Sequence, residues 1–198
     1  MQFSRFTTSA KRKTTRAKEK IFALVVFSFA ATVLQSCDDG LSDLYASFAA
    51  RFRFAPVTQS PPLRSALNNP GTYCRVTFPA KTYDFRSTDG QTYSVAATAL
   101  DAILRPVCLN GFIIGTPNIP DANGNFYNVA YDLACSYCHH TDLIQRDLQV
   151  DASGLAHCPR CLSDYNLNNG GLPQSGPADR GLYRYRITYQ SDIVLINN

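Results

Sequence analysis

From Thr72 to the C-terminus the chain is written in short pieces in which apolar and polar residues alternate. A period of two puts successive side chains on opposite faces of a strand. It predicts strands over 72–78, 82–85 and 91–95, and the Asp89-Gly90 pair turns the last two into a hairpin. Residues 112–115 are continuously apolar, the mark of a strand buried on both faces. Further strands are expected over 126–133, 143–150, 155–157 and 164–167, and 182–189 with 192–196 form a closing hairpin. In that hairpin Tyr183, Tyr185 and Ile187 alternate with Leu182, Arg184 and Arg186, which suits one wet face. Residues 96–104 fit either a short helix or a turn, while 117–124 and Asn168-Asn169-Gly170-Gly171 are loops. Long helical periodicity is scarce. The pattern predicts an all-β domain, a small barrel or sandwich.

The first third of the chain reads differently. Lys11, Arg12, Lys13, Arg16, Lys18 and Lys20 precede an apolar run, Ile21 to Leu34, that ends in small residues. These are the parts of an export signal. The run is shorter than the roughly 20 apolar residues of a spanning helix. Leu34-Gln35-Ser36-Cys37 resembles the lipobox of bacterial lipoproteins. The resemblance implies that Cys37 becomes the lipidated N-terminus, tying the protein to a membrane without a transmembrane helix. Asp38-Asp39 resemble the surface-export signals of lipoproteins in the Bacteroidetes group, which implies the cell envelope, at the outer membrane or cell surface. The expected organisation is a signal peptide over 1–36, a lipid-anchored tether over 37–70 and a β domain over 71–198. Within the tether, 41–54 fits one short amphipathic helix, and Pro56, Pro61, Pro62 and Pro70 keep the rest irregular.

Removing the signal changes the charge. Residues 1–36 carry seven Lys or Arg against one Glu, and residues 37–198 carry twelve against fourteen Asp. The net +4 of the whole chain therefore belongs to the signal, and the mature part is slightly acidic. A nucleic-acid footprint is excluded on that ground. The mature part has no glutamate, and its aspartates do not pair in a recognisable spacing. There is no Gly-x-Ser-x-Gly elbow, phosphate loop or His-Glu-x-x-His helix. The reading is a protein that is not an enzyme, with the membrane as its one assignable partner.

The informative chemistry is in the cysteines. Cys135-Ser-Tyr-Cys138 and Cys158-Pro-Arg-Cys161 are two Cys-x2-Cys pairs separated by nineteen residues. That is the spacing of two metal knuckles, as in zinc ribbons and rubredoxins. Four thiolates in a tetrahedron suit zinc or iron and leave no open position for hydrolysis. In an exported chain the same four could instead form cross-pair disulfides. His139, His140 and His157 neighbour the knuckles, but four thiolates already complete the tetrahedron. Cys74 and Cys108 remain, as a disulfide or as free thiols.

The stretch after Cys158 carries a family resemblance. Cys-Pro-Arg-Cys is followed by Tyr165 and Leu167, a Gly turn, Gly176-Pro177-Ala178, then Leu182 and Tyr185 on a strand. This resembles the second half of a Rieske domain, most specifically over 126–188. The resemblance implies a small Rieske-like β-barrel or sandwich. A Rieske cluster uses two Cys and two His. Here Cys161 stands where the second His belongs, and the first knuckle ends in Cys138. The expected reading is a Rieske-like lipoprotein with a structural four-Cys zinc site. The alternative is an electron carrier with mononuclear iron or a two-iron, two-sulfur cluster.

Overall fold

A computed structural model describes residues 45–198. The expected signal peptide and the lipidation site Cys37 lie outside the described residues. Among the described residues twelve strands form two antiparallel sheets, so this part of the chain is mainly β as its alternation predicts. The large sheet holds β1 (Arg51–Phe54), β2 (Thr72–Thr77), β3 (Thr82–Ser87), β4 (Thr92–Ala96), β5 (Phe112–Thr116), β6 (Val129–Asp132), β11 (Arg184–Gln190) and β12 (Ile193–Asn197). Its order is β1-β12-β11-β6-β5-β2-β3-β4. The small sheet holds β7 (Gln149–Val150), β8 (Leu155–His157), β9 (Asp164–Asn166) and β10 (Leu172–Ser175), in the order β10-β9-β8-β7. Three short α-helices, α1 (Pro61–Asn68), α2 (Ala99–Ile103) and α3 (Ser136–Asp142), and two 3-10 turns, Val57–Gln59 and Leu167–Asn169, complete the described residues.

Alternation along the central strands builds two separate cores. Cys74 and Val76 of β2, Phe112 and Ile114 of β5, and Ala130 of β6 point into one. Tyr73, Ile113, Val129 and Tyr131 of the same strands point into the other. Both faces of β5 and β6 are thus covered, which is why 112–115 reads as an unbroken apolar run. The large sheet curls around the first core into a half-barrel. Phe54 of β1, at one edge, meets Phe85 of β3, beside the other edge, with ring centroids 4.7 Å apart. Helix α1 fills the open side with Leu63, Ala66 and Leu67. The small sheet covers the outer face, and Leu148, Ala156, Tyr165 and Leu167 build the second core. Tyr73 hydroxyl ties the two layers by donating to Asn168 Oδ1 at 2.8 Å. Gly115 makes that placement possible: a Cβ there would lie 2.3 Å from the Tyr73 ring.

The domain boundary differs from the sequence expectation. Residues 51–68 are part of the fold and not a tether. Arg51–Phe54 is a strand with an alternating exposed and buried pattern, not a helix, and it pairs with β12 from Arg51↔Asn197 to Phe54↔Val194. Pro61 and Pro62 start α1 instead of breaking the chain, because the first helical positions have no intrahelical N–H partner to lose. The ambiguous 96–104 segment contains α2. The strand expected over 143–150 shrinks to β7, because α3 runs to Asp142 and Leu143 ends it in the left-handed region at φ 55°.

Candidate metal centre

The first knuckle grows out of β6. Asp132 ends that strand fully buried, and its carboxylate accepts from Leu109 N–H at 2.9 Å, Asn110 N–H at 3.3 Å, Ala134 N–H at 2.8 Å and Tyr185 hydroxyl at 3.0 Å. Burial raises this carboxyl above the usual carboxylate range, and the four donors oppose the rise. The bond to Ala134 turns the chain out of the sheet. Cys135 N–H then donates to Arg146 C=O at 2.8 Å, and Leu148 N–H to Leu133 C=O at 2.9 Å, so 146–148 runs alongside and braces the turn. Cys135 caps α3, and Cys138 sits in its first turn.

The second knuckle is the turn between β8 and β9. Cys158 N–H donates to Ser163 C=O at 2.9 Å, and Leu162 N–H to Cys158 C=O at 3.0 Å. Leu162 takes a left-handed φ of 61° to close it. The Gly176-Pro177-Ala178 loop lies against this turn. Ala178 N–H donates to Ser163 Oγ at 3.2 Å. A Cβ at Gly176 would sit 2.6 Å from Ser163 Cα and 2.7 Å from Leu162 O, and φ there is 84°. Only glycine suits that approach.

The four sulfurs converge. Cys135 Sγ lies 3.7 Å from Cys161 Sγ, and Cys138 Sγ lies 3.8 Å from Cys158 Sγ. All four lie within 4.8 Å of one another. A tetrahedron with metal–sulfur bonds of about 2.3 Å has sulfurs about 3.8 Å apart along each edge. The arrangement therefore could hold one metal ion at its centre, and the donor chemistry fits a soft or borderline cation. Cys135, Cys138 and Cys158 are buried, and Cys161 is partly exposed.

Hydrogen bonds shape the sulfurs' electrostatics. Burial pushes the Cys135 thiol up to about 11, against the Cys138 amide and the Tyr165 hydroxyl, which lower it. Burial and the neighbouring Cys135 also push Cys138 up. Burial works to raise Cys161 as well, yet the hydroxyl and amide of Ser163 hold it down to about 7. Ser163 Oγ stands 3.3 Å from Cys161 Sγ, and Tyr165 Oη stands 3.3 Å from Cys135 Sγ. Such outer hydrogen bonds orient thiolate ligands and offset their charge. Four thiolates this close repel one another unless a cation joins them.

The histidines stand apart from the sulfurs. His139 Nδ1 lies 3.0 Å from Tyr183 Oη, with Phe48 edge-on at 5.2 Å. His140 is exposed. His157 Nδ1 lies 2.7 Å from Asp164 Oδ1. Cys74 lies in the first core, Cys108 packs against it partly buried, and both are free cysteines in this structure. Cys74 sits opposite Ile114 in the β2–β5 register, whereas Cys108 precedes β5 altogether. The sequence reading missed Asp132, Ser163 and the role of Gly176. One signal was present: Asp132 is a lone charge in the apolar run from Val129 to Ala134.

No protein-family model matches the chain, and no curated protein matches it. The family resemblance seen in the sequence thus stands on its own motifs.

Proposed function

We propose that this protein is a non-enzymatic, membrane-anchored lipoprotein whose four-Cys site holds one structural zinc ion. The observation that supports it is where the two knuckles come from. Cys135 and Cys138 follow β6 of the large sheet, while Cys158 and Cys161 join β8 and β9 of the small sheet. An ion bound by all four therefore bolts the small sheet onto the half-barrel across the second core. The sulfur spacing suits one ion. A two-iron cluster, with two thiolates on each iron, would set its sulfur pairs further apart, so within the alternative electron-carrier reading this spacing favours mononuclear iron over a two-iron cluster. A closed set of four thiolates leaves no coordination site for a substrate or water.

The Rieske-like reading of the domain is part of the proposal. Its support is that two metal loops meet at one end of a small sheet, next to a Gly-Pro-Ala loop, in the order that the resemblance implies. Anchoring through Cys37 rests on the lipobox and on a signal too short to span. Among the described residues no helix is long and apolar enough to cross a membrane. Expression in a lipoprotein-processing bacterium, with radiolabelled palmitate, tests the anchor. Label and membrane fractionation are expected for the native chain and absent for Cys37→Ser. Equal fractionation without label would refute lipidation.

A further inference from the structure

The outer face of the other wing of the half-barrel carries an arrangement that the metal reading does not use. Arg75 of β2 and Arg86 of β3 are directly opposite in the strand register, with side chains on the same face. Like charges placed opposite each other across a strand pair are unfavourable. Neither strand is an edge strand, so these arginines do not guard an open sheet edge. Of the two carboxylates nearby, Asp147 alone forms an ion pair with them. Asp147 Oδ2 stands 3.5 Å from Arg75 Nη2, and its other oxygen is taken by Asn110 Nδ2 at 2.7 Å. Asp84 accepts from the Ser94 hydroxyl. Arg86 is exposed and has no ion pair among the described residues. Arg75 Nε is buried and has no hydrogen-bond partner. A buried donor without an acceptor is costly, so native proteins rarely leave one.

These two guanidinium groups face a cleft of about 480 Å³, lined also by Thr77, Asp84, Thr92 and Ser94. The volume lies within the roughly 300–1,000 Å³ range of small-molecule sites. Phe85 and Tyr93 complete the lining, which beyond the arginines thus offers the hydroxyls of Thr77, Thr92, Tyr93 and Ser94, one carboxylate and one phenylalanine; the hydroxyls suit a ligand that itself carries hydroxyl groups. Paired guanidinium groups suit a carboxylate or a phosphate, which can accept several N–H donors at once. We propose that this cleft binds a small, hydroxyl-rich molecule through an oxyanion group seated between Arg75 and Arg86. The anion would accept from the guanidinium groups of Arg75 and Arg86 and relieve their repulsion, while Asp84 and Ser94 meet the ligand's hydroxyls. This goes beyond the zinc reading and does not depend on it.

The test is a titration of the 15N-labelled chain from residue 37 to Asn198, carrying Cys37→Ser. That chain contains the compact unit Ser42–Asn198. The Arg75 Nε–H resonance is followed while inorganic phosphate, acetate, glucose 6-phosphate, glucuronate and glucose are added in turn. Saturating shifts are expected with at least one sugar acid or sugar phosphate, with Kd below about 1 mM, and none with glucose. Tighter binding of glucose 6-phosphate assigns the anion as phosphate, and tighter binding of glucuronate assigns it as carboxylate. Arg86→Gln, at an exposed position, is expected to weaken binding at least tenfold and not to lower melting, because it removes one of two opposed like charges. Shifts that never saturate, equal shifts with glucose, or undiminished binding by Arg86→Gln would overturn the proposal.

Discussion

Replacing Cys158 with Ser is the sharpest single perturbation of the proposed clamp. Cys158 is fully buried, its sulfur lies 3.8 Å from that of Cys138, and it is the first ligand that the small sheet contributes. Losing one of four ligands releases the ion under ordinary conditions. A site held at 1,000 times its Kd contributes about 4 kcal/mol of folding free energy. Leaving a serine hydroxyl in the vacated, buried position costs about 1–3 kcal/mol more. A total of about 6 kcal/mol in a domain of this size lowers Tm by roughly 12–24 °C. Calorimetry with parallel metal analysis is the assay, and Cys108→Ser, at a cysteine outside the cluster, is the control. The variant should contain no metal, melt far below the control and show no further change with chelator. Wild-type protein treated with chelator should fall most of the way towards it. A variant that keeps one ion per chain, or that melts within about 3 °C of wild type, less than the equivalent of 2 kcal/mol, would refute the clamp.

Three more outcomes follow from other parts of the fold. Asp132→Ala leaves three backbone N–H groups and the Tyr185 hydroxyl without their acceptor; urea unfolding should show a loss of about 4 kcal/mol or more, and metal retention should fall because Ala134 leads into the knuckle. Phe54→Ala removes the ring that meets Phe85, and its expected cost is about 3–5 kcal/mol by the same assay; a change under about 1 kcal/mol would return β1 to a tether. Stability should fall in acid. Burial opposes it, but hydrogen bonds from Ser65, Ser87 and Gln91 hold Asp89 below its usual value, and bonds from Ser153, Leu155 and Gly154 do the same, again against burial, for Asp151. Ser175 and His157 likewise depress Asp164. Groups depressed in the folded state stabilise it above their unfolded pKa and lose that contribution as pH falls through the folded one. Asp132, raised by burial, has the opposite sign. Melting of metal-free protein should therefore be level from pH 5 to 7 and drop below about pH 4; Asp164→Asn should shrink the drop, and an unchanged profile would contradict the assignment.

What the sequence made legible was local. The Asp89-Gly90 hairpin, the doubly buried strand read over 112–115 and the β11–β12 hairpin follow from patterns within a few residues. So do the knuckles, because a Cys-x2-Cys turn aims its own two sulfurs. What escaped depends on distant partners. Phe52 and Phe54 belong to a strand only because β12 pairs with them from the far end of the chain. Prolines 61 and 62 look like breakers until α1 is docked on the first core. Asp132 is explained only once 109–110 and Tyr185 arrive from other strands. The opposition of Arg75 and Arg86 likewise exists only in the paired register.

The central claim is one zinc ion in four thiolates joining two sheets. X-ray absorption at the zinc edge, on protein purified without added metal and checked for metal content, tests it most directly. One zinc per chain, with four sulfur neighbours at about 2.3 Å, is the expected result. Iron with thiolate charge-transfer bands, or no metal with the four cysteines oxidised to disulfides, would contradict it.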